Sequence, residues 1–261
     1  KRIEIAKAKN KNFDLREPEV VYIEKKNKIK DLSVPFYYSS LFSNFETFKK
    51  AKKNNDYIPI RGPINKKTLS CAEDLNYRII NNDKYGFKNS NSIYDKQIEV
   101  FILGGSFAEG FCYGSQDDIA GNLIKENIQT LNLGVATTGP LVSLAVLKEF
   151  APTYKPKDVF YLYYESNSLR VLNWEEKDII LTKYLEKNYK TNYIKNIDKV
   201  KSFLESIEKE SLKIVTNKAK LYKKEEFYEE KKYLNNIKDI LEINILKNRI
   251  RNLFNKKKKF I

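Results

Sequence analysis

The stretch that decides the fold reads Ile98-Glu99-Val100-Phe101-Ile102-Leu103-Gly104-Gly105-Ser106. Its apolar run is short and ends in two glycines, which is typical of a buried strand followed by a tight turn. The turn brings Ser106 to the end of that strand. We therefore expect a strand at residues 98–103 with a serine at its carboxyl end.

Two more strands and two helices are predicted after this turn. Residues 130–135 and 157–164 have the apolar character of strands. Residues 117–127 have helical spacing with Ser115 as N-cap, and residues 140–150 form a second helix with a proline in its first turn. A strand-helix-strand-helix-strand order predicts an α/β fold with a parallel sheet, whose ligands sit beyond the carboxyl ends of the strands.

The segment before this core, residues 1–95, is interpreted as an irregular N-terminal extension packed on it. Prolines interrupt any long element. Short strands are expected at residues 20–23 and 77–80, and a helix at residues 44–53 with Ser43 as its N-cap. The Asn, Asp and Gly of residues 81–87 predict a turn.

The chain after the core of residues 96–169 is interpreted as a lysine-rich, mostly helical segment spanning residues 170–261. Residues 212–215 are a weak strand candidate. The segment ends in a basic run made up of Lys256, Lys257, Lys258 and Lys259. This run is read as a solvated tail, or else as a weak contact with an anionic membrane surface next to Phe260 and Ile261.

The net charge of +15 is unevenly distributed. Residues 1–98 carry 21 basic and 12 acidic side chains, residues 99–169 carry 4 and 8, and residues 170–261 carry 24 and 14. The acidic core favours solvated lysine faces over a nucleic-acid surface, so no specific nucleic-acid partner is expected. A binder of nucleic acid or anionic membranes driven by charge stays as an alternative.

Residue counts limit the chemistry. The chain has no histidine, so no Ser-His dyad can be built from it. Cys71 and Cys112 allow at most one disulfide and fit no zinc spacing. No run approaches 18 apolar residues, so no membrane span is expected. Because the sequence opens at Lys1 without any Met, we expect a longer reading frame in which an export or anchoring segment can precede it, and the localisation is left open.

Three loops together carry a family resemblance. They are the turn Leu103-Gly104-Gly105-Ser106-Phe107, the segment Asn132-Leu133-Gly134 with Thr138-Gly139-Pro140, and the segment Tyr164-Glu165-Ser166-Asn167. Their order, spacing and position after predicted strands resemble the first three sequence blocks of the SGNH, or GDSL-type, hydrolases. The match covers roughly residues 98–167 of the chain.

The resemblance implies a three-layer α/β/α sandwich with a flavodoxin-like parallel sheet, and an ester hydrolase that needs no cofactor or metal. It assigns the nucleophile to Ser106, and the oxyanion hole to the Ser106 amide, the Gly134 amide and the Asn167 carboxamide. The expected substrate is a small acyl ester, for example an O-acetyl group on a carbohydrate. A glycine-bordered serine on a strand-to-helix turn suits this chemistry, because the backbone there leaves room for a carbonyl group.

The chain departs from the family pattern at three places. Gly105 and Ser168 stand where the family usually has Asp, and neither position is a nucleophile or a donor. The family's final block, an Asp three residues before a catalytic His, has no counterpart here. We expect a truncated chain that carries the nucleophile but not the acid-base pair. The alternative is a catalytically inactive relative that binds acylated glycans or a protein partner.

Simpler interpretations of the same residues remain open at the level of sequence. The Gly104-Gly105-Ser106 turn can be a plain strand-to-helix turn or a phosphate cradle, although the P-loop spacing is absent. Glu109 and Glu165 are expected to be solvated loop carboxylates, with a role as catalytic base as the alternative. The tyrosines of residues 161–164 are expected in the sheet core and edge rather than on a substrate platform.

Overall fold

The computed structural model describes residues 14, 16–34, 60–70 and 76–224. The predicted helix at residues 44–53 and the basic run at residues 256–259 lie outside these ranges. Within them the chain forms a mixed α/β structure with two small sheets and helices.

Six strands are described, in chain order: β1 Leu32–Ser33, β2 Lys67–Leu69, β3 Ile79–Asn81, β4 Val100–Gly104, β5 Thr130–Asn132 and β6 Asp158–Leu162. The helices are α1 Pro18–Lys26, α2 Ser106–Glu109, α3 Ile119–Lys125, α4 Pro140–Tyr154, α5 Glu165–Glu175, α6 Ile179–Lys183 and α7, which includes residues 197–224; a 3₁₀ helix spans Asn91–Asp95. Among the described residues no helix is long and apolar enough to cross a membrane.

The predicted parallel sheet is confirmed, with strand order β5-β4-β6. Val100 of β4 pairs with Thr130 and with Asp158, and both neighbouring strands run parallel to it. The second sheet, β1-β2-β3, is mixed, since β1 is parallel and β3 antiparallel to β2. The carboxyl ends of β4, β5 and β6 therefore lie at one edge of the first sheet.

Side chains of β4 are buried on both faces of the sheet. Phe101 and Leu103 belong to a cluster that contains Val146 and Phe150 of α4. Val100 and Ile102, which alternate with them, belong to a different cluster with Ala108 and Ala120 of α2 and α3. This alternation follows from the period of two in a strand and explains why residues 100–103 are all apolar.

The strand β6 is far more exposed than a buried third strand would be. Val159, Phe160 and Tyr161 are 42%, 54% and 39% exposed. The sequence predicts these tyrosines in the core and at the edge of the sheet. The prediction of an edge position is correct, and that of a core position is wrong, since Tyr161, Tyr163 and Tyr164 are all exposed. Within the described ranges no strand pairs with the outer edge of β6.

The opposite edge strand, β5, is covered by a side chain. The Asn89 carboxamide accepts from the backbone N–H of Asn132 at 2.9 Å and donates to its carbonyl at 3.0 Å. These are the two bonds that a neighbouring strand would supply. The Asn89 side chain therefore satisfies the backbone of Asn132 at this edge.

Chain segments that precede and follow the core in the sequence pack against it. The cluster around Phe101 also contains Ile60 and Phe87 from the N-terminal side and Tyr193 and Leu204 from the C-terminal side. Domain boundaries at residues 95 and 169 stay a prediction.

Several local predictions are corrected. Residues 20–23 lie in helix α1, not in a strand, and Pro18 in the first turn suits the start of a helix. Residues 212–215 lie in α7, so the strand there is also wrong. The N-cap of α3 is Asp118, whose carboxylate accepts from Gly121 N–H at 2.7 Å, and not Ser115.

Cys112 is disulfide-bonded, which agrees with the single disulfide that the sequence allows. The other cysteine of the chain, Cys71, lies outside the described residues.

Candidate functional site

The turn after β4 presents Ser106 as the first residue of helix α2. Gly104 has a φ of +135°, and a Cβ atom there would lie 2.7 Å from the carbonyl oxygen of Leu162 in β6. Only glycine fits this conformation and this close approach. The glycine therefore lets the chain turn sharply between β4 and the helix that carries Ser106.

The Ser106 side chain is half-buried and available for chemistry. Its hydroxyl makes no hydrogen bond to any residue in the described part of the chain. Its backbone N–H lies in the first turn of α2, where amides have no intrahelical acceptor. The predicted nucleophile therefore sits at the carboxyl end of β4 with a free hydroxyl.

Gly134 brings the loop after β5 against the same helix. A Cβ atom at Gly134 would lie 2.3 Å from the amide nitrogen of Glu109, so no larger residue fits. The Gly134 N–H, however, donates to Oδ1 of Asn132 at 3.1 Å. Gly134 is thus next to the Ser106 helix, but its N–H is engaged, and donation to a substrate requires Asn132 to release it.

Asn167 lies in the first turn of α5, directly after β6. Its Oδ1 accepts from the Arg170 guanidinium at 2.8 Å, and its Nδ2 has no acceptor among the described residues. The Tyr164 ring before α5 contacts the Phe107 ring next to Ser106, with centroids 5.3 Å apart. This contact places the start of α5 beside the Ser106 turn, and the Arg170 bond leaves the donor side of the Asn167 carboxamide open.

Glu109 is not the solvated carboxylate that the sequence predicts. It is buried, its Oε1 accepts from the Arg61 guanidinium, and its Oε2 accepts from Ala136 N–H at 2.5 Å. The Arg61 Nε also donates to the carbonyl of Gly86 at 3.2 Å. Because both carboxylate oxygens of Glu109 already accept from Arg61 and Ala136, Glu109 is assigned a structural role rather than that of a base. Glu165 is exposed, as expected.

Arg61 is a site residue that sequence reasoning missed. It lies 48 residues before its partner Glu109, outside the predicted core, and no local pattern marks it. Through Glu109 it holds the loop at Ala136 against helix α2. The N-terminal extension therefore contributes directly to the shape of the candidate site.

Glu175 is a second residue that the sequence does not reveal. It is fully buried, and its carboxylate accepts from the N–H groups of Gly139 at 2.6 Å and Leu141 at 2.9 Å. It thus caps helix α4 from the end of α5, which suits an anion at a helix N-terminus. Burial raises the pKa of Glu175, although the backbone hydrogen bonds from Gly139, Leu141 and Val142 act in the opposite direction.

The loop between β5 and α4 also holds a strained residue. Thr137 has a φ of +64°, a region that β-branched residues rarely adopt. The carbonyl oxygen of Thr138 lies 3.4 Å from the position a Cβ atom would take on Gly105. The strained loop therefore borders the Ser106 turn, where unusual backbone conformations often accompany function.

Comparisons with known proteins do not identify the chain. No protein-family model, no curated protein and no solved structure matches it. The function is therefore argued from the site itself.

Proposed function

We propose that this protein is an SGNH-type serine hydrolase of acyl esters, with Ser106 as nucleophile. The observation that carries the proposal is the position of Ser106, which begins a helix at the carboxyl end of a central parallel strand with its hydroxyl free. The Gly134 loop and the start of α5 flank that position. Ligands of parallel sheets bind at this edge.

In the proposed reaction the Ser106 Oγ attacks the ester carbonyl carbon. A bond forms between Oγ and that carbon, the bond to the alcohol oxygen breaks, and the serine proton ends on the departing alcohol. The Ser106 N–H and the Asn167 Nδ2 donate to the oxyanion, joined by the Gly134 N–H once Asn132 releases it. Water then hydrolyses the acyl-serine.

The general base is not assigned to a residue of this chain. The sequence has no histidine, and Glu109 is held by Arg61 and Ala136 N–H. Proton removal from Ser106 then depends on hydroxide or on a group from elsewhere. We expect acyl transfer by this chain alone to be slow and to speed up with rising pH, without a plateau near neutrality.

The finer fold assignment, a three-layer α/β/α sandwich with a flavodoxin-like sheet, belongs to the same proposal. It is supported by the parallel order β5-β4-β6 and by the burial of β4 on both faces, with α4 on one side and α2 and α3 on the other.

The proposed substrate is a small acyl ester, with an O-acetylated carbohydrate as the favoured class. Phe107 and Tyr164, which are 65% and 51% exposed, form an edge-to-face pair beside Ser106. Exposed aromatic faces offer apolar surface to the C–H groups of a sugar ring or to an acyl chain.

The proposal is tested by incubating the chain with p-nitrophenyl acetate and mapping ester-linked acetyl groups by peptide mass spectrometry. Hydroxylamine treatment removes acetyl from serine esters but not from lysine amides, so the two products are separated. We expect an ester-linked acetyl group on Ser106, which accumulates because deacylation lacks a base. Ser166→Ala, which changes an exposed serine at the start of α5, is the matched control for Ser106→Ala.

A second candidate function is a non-catalytic binder of acylated glycans, which the absence of histidine favours. Under it, an acetylated oligosaccharide binds equally well to the unmodified chain and to Ser106→Ala, and Ser106 is acetylated no faster than Ser166. That pair of results would replace the hydrolase proposal.

A further inference from the structure

A cleft outside the Ser106 site, lined by both apolar and polar side chains, lies between the 3₁₀ helix and α3. Its volume is about 440 Å³, and Ser106, Gly134 and Asn167 do not line it. We call it the lysine cleft, after Lys88, Lys96 and Lys125 in its lining.

The floor of the lysine cleft is electrically neutral and fixed in place. The Lys88 ammonium contacts Asp118 Oδ2 at 3.0 Å and donates to the carbonyls of Gly110 at 2.7 Å and Tyr113 at 3.1 Å. Asn132 Nδ2 also donates to Asp118 Oδ2 at 3.0 Å. Because both charges are buried and fully paired, the floor is rigid and has no spare charge.

Lysine ammonium groups and serine hydroxyls that can contact a ligand lie at the rim of the cleft. Lys96 and Lys125 are exposed there, and Lys125 donates to Asn122 Oδ1 at 3.3 Å. Hydroxyls come from Ser90 and Ser115, among others. Among the described residues that line the cleft, Asp118 is the one acidic side chain, and it is already paired with Lys88, so the open part of this lining is positive.

Apolar side chains complete the lining. Ile93 and Ile124 face the cleft together with Ala120. A matching ligand has an anionic group that binds the two lysine ammonium groups and hydroxyls that bind the serines and Gln116. It also has a C–H face that packs on the isoleucines.

From these observations we propose that the lysine cleft binds a phosphorylated monosaccharide free in solution. The phosphate lies between Lys96 and Lys125, and the sugar hydroxyls meet the serine hydroxyls and Gln116. Ser106, Gly134 and Asn167 do not line this cleft, and its ligand does not depend on the proposed hydrolase function. Asn132, whose Oδ1 accepts from the Gly134 N–H, is the lining residue that the cleft has in common with the Ser106 site.

The test is isothermal titration of the chain with glucose 6-phosphate, with glucose and inorganic phosphate as partial ligands. We expect saturable binding with a dissociation constant on the order of 1 mM, and weaker binding of both partial ligands. The double variant Lys96→Ala/Lys125→Ala is expected to weaken binding at least about tenfold.

The matched control is Lys187→Ala/Lys190→Ala, which removes the same charge from exposed positions outside the cleft. We expect it to bind as the unmodified chain does. The proposal is overturned by absence of saturable binding, by equal weakening in the two double variants, or by phosphate binding as tightly as the sugar phosphate.

Discussion

The buried ion pair between Arg61 and Glu109 gives the sharpest prediction about stability. Both side chains are nearly inaccessible, at 9% and 6% exposed, and each has one further hydrogen bond, to Gly86 O and from Ala136 N–H. Arg61→Met leaves the Glu109 carboxylate buried with that single donor. Removing one partner of a buried pair costs about 3–5 kcal/mol, so we expect a loss of that size in the free energy of unfolding.

The measurement is urea unfolding followed by circular dichroism and by the fluorescence of Trp174, the single tryptophan. The double variant Arg61→Met/Glu109→Leu removes the orphaned charge as well, so we expect it to recover at least about 2 kcal/mol relative to Arg61→Met.

The matched control is Arg16→Met, which breaks ion pairs with Asp14 and Glu24 in which Arg16 is 43% exposed. Exposed pairs contribute less than about 1 kcal/mol. The reasoning is refuted if Arg61→Met costs no more than Arg16→Met, because the extension would then not be anchored to the site through this pair.

Three further predictions concern two residues near the site, Glu175 and Gly134, and one at the far end of helix α4, Lys155. Burial raises the pKa of Glu175, so its contribution to stability is greatest below the pKa of the unfolded chain and is lost as pH rises through the pKa of the folded chain. We expect the free energy of unfolding of the unmodified chain, measured in urea, to fall relative to that of Glu175→Gln between pH ~4 and ~7. Gly134→Ala places a Cβ atom 2.3 Å from Glu109 N, so thermal unfolding should show a loss of about 1–3 kcal/mol; no loss contradicts the close packing. Lys155→Gly, at the exposed left-handed end of α4 with φ +43°, should raise the free energy of unfolding by about 0.5–1 kcal/mol, and a destabilised variant would argue against that conformation.

The sequence predicts the central sheet well because its signals are local. The apolar residues 100–103 need burial on both faces, and β4 receives it from α4 on one side and from α2 and α3 on the other. Pro140 begins α4 as expected, although that helix continues to Tyr154, beyond the predicted residue 150. The turn that presents Ser106 follows from the two glycines alone.

The parts that sequence reasoning missed depend on contacts between distant residues. The strand predicted at residues 20–23 is helical, since a short apolar run fits either element and Pro18 favours the helix. The pairing of Arg61 with Glu109, and of Glu175 with the start of α4, joins segments that no local pattern connects. The engagement of the Gly134 N–H by Asn132 likewise depends on a side-chain conformation that the motif does not encode.

The rate of ester-linked acetylation of Ser106 by p-nitrophenyl acetate in Asn167→Ala is the most direct test of the proposed site. Loss of one oxyanion donor costs on the order of 3 kcal/mol, so we predict a rate about 100-fold lower than in the unmodified chain. Asn173→Ala, an exposed asparagine on the same helix α5, is the matched control and should leave the rate unchanged. Equal rates in Asn167→Ala and Asn173→Ala, or no acetylation of Ser106 above that of Ser166, would contradict the account.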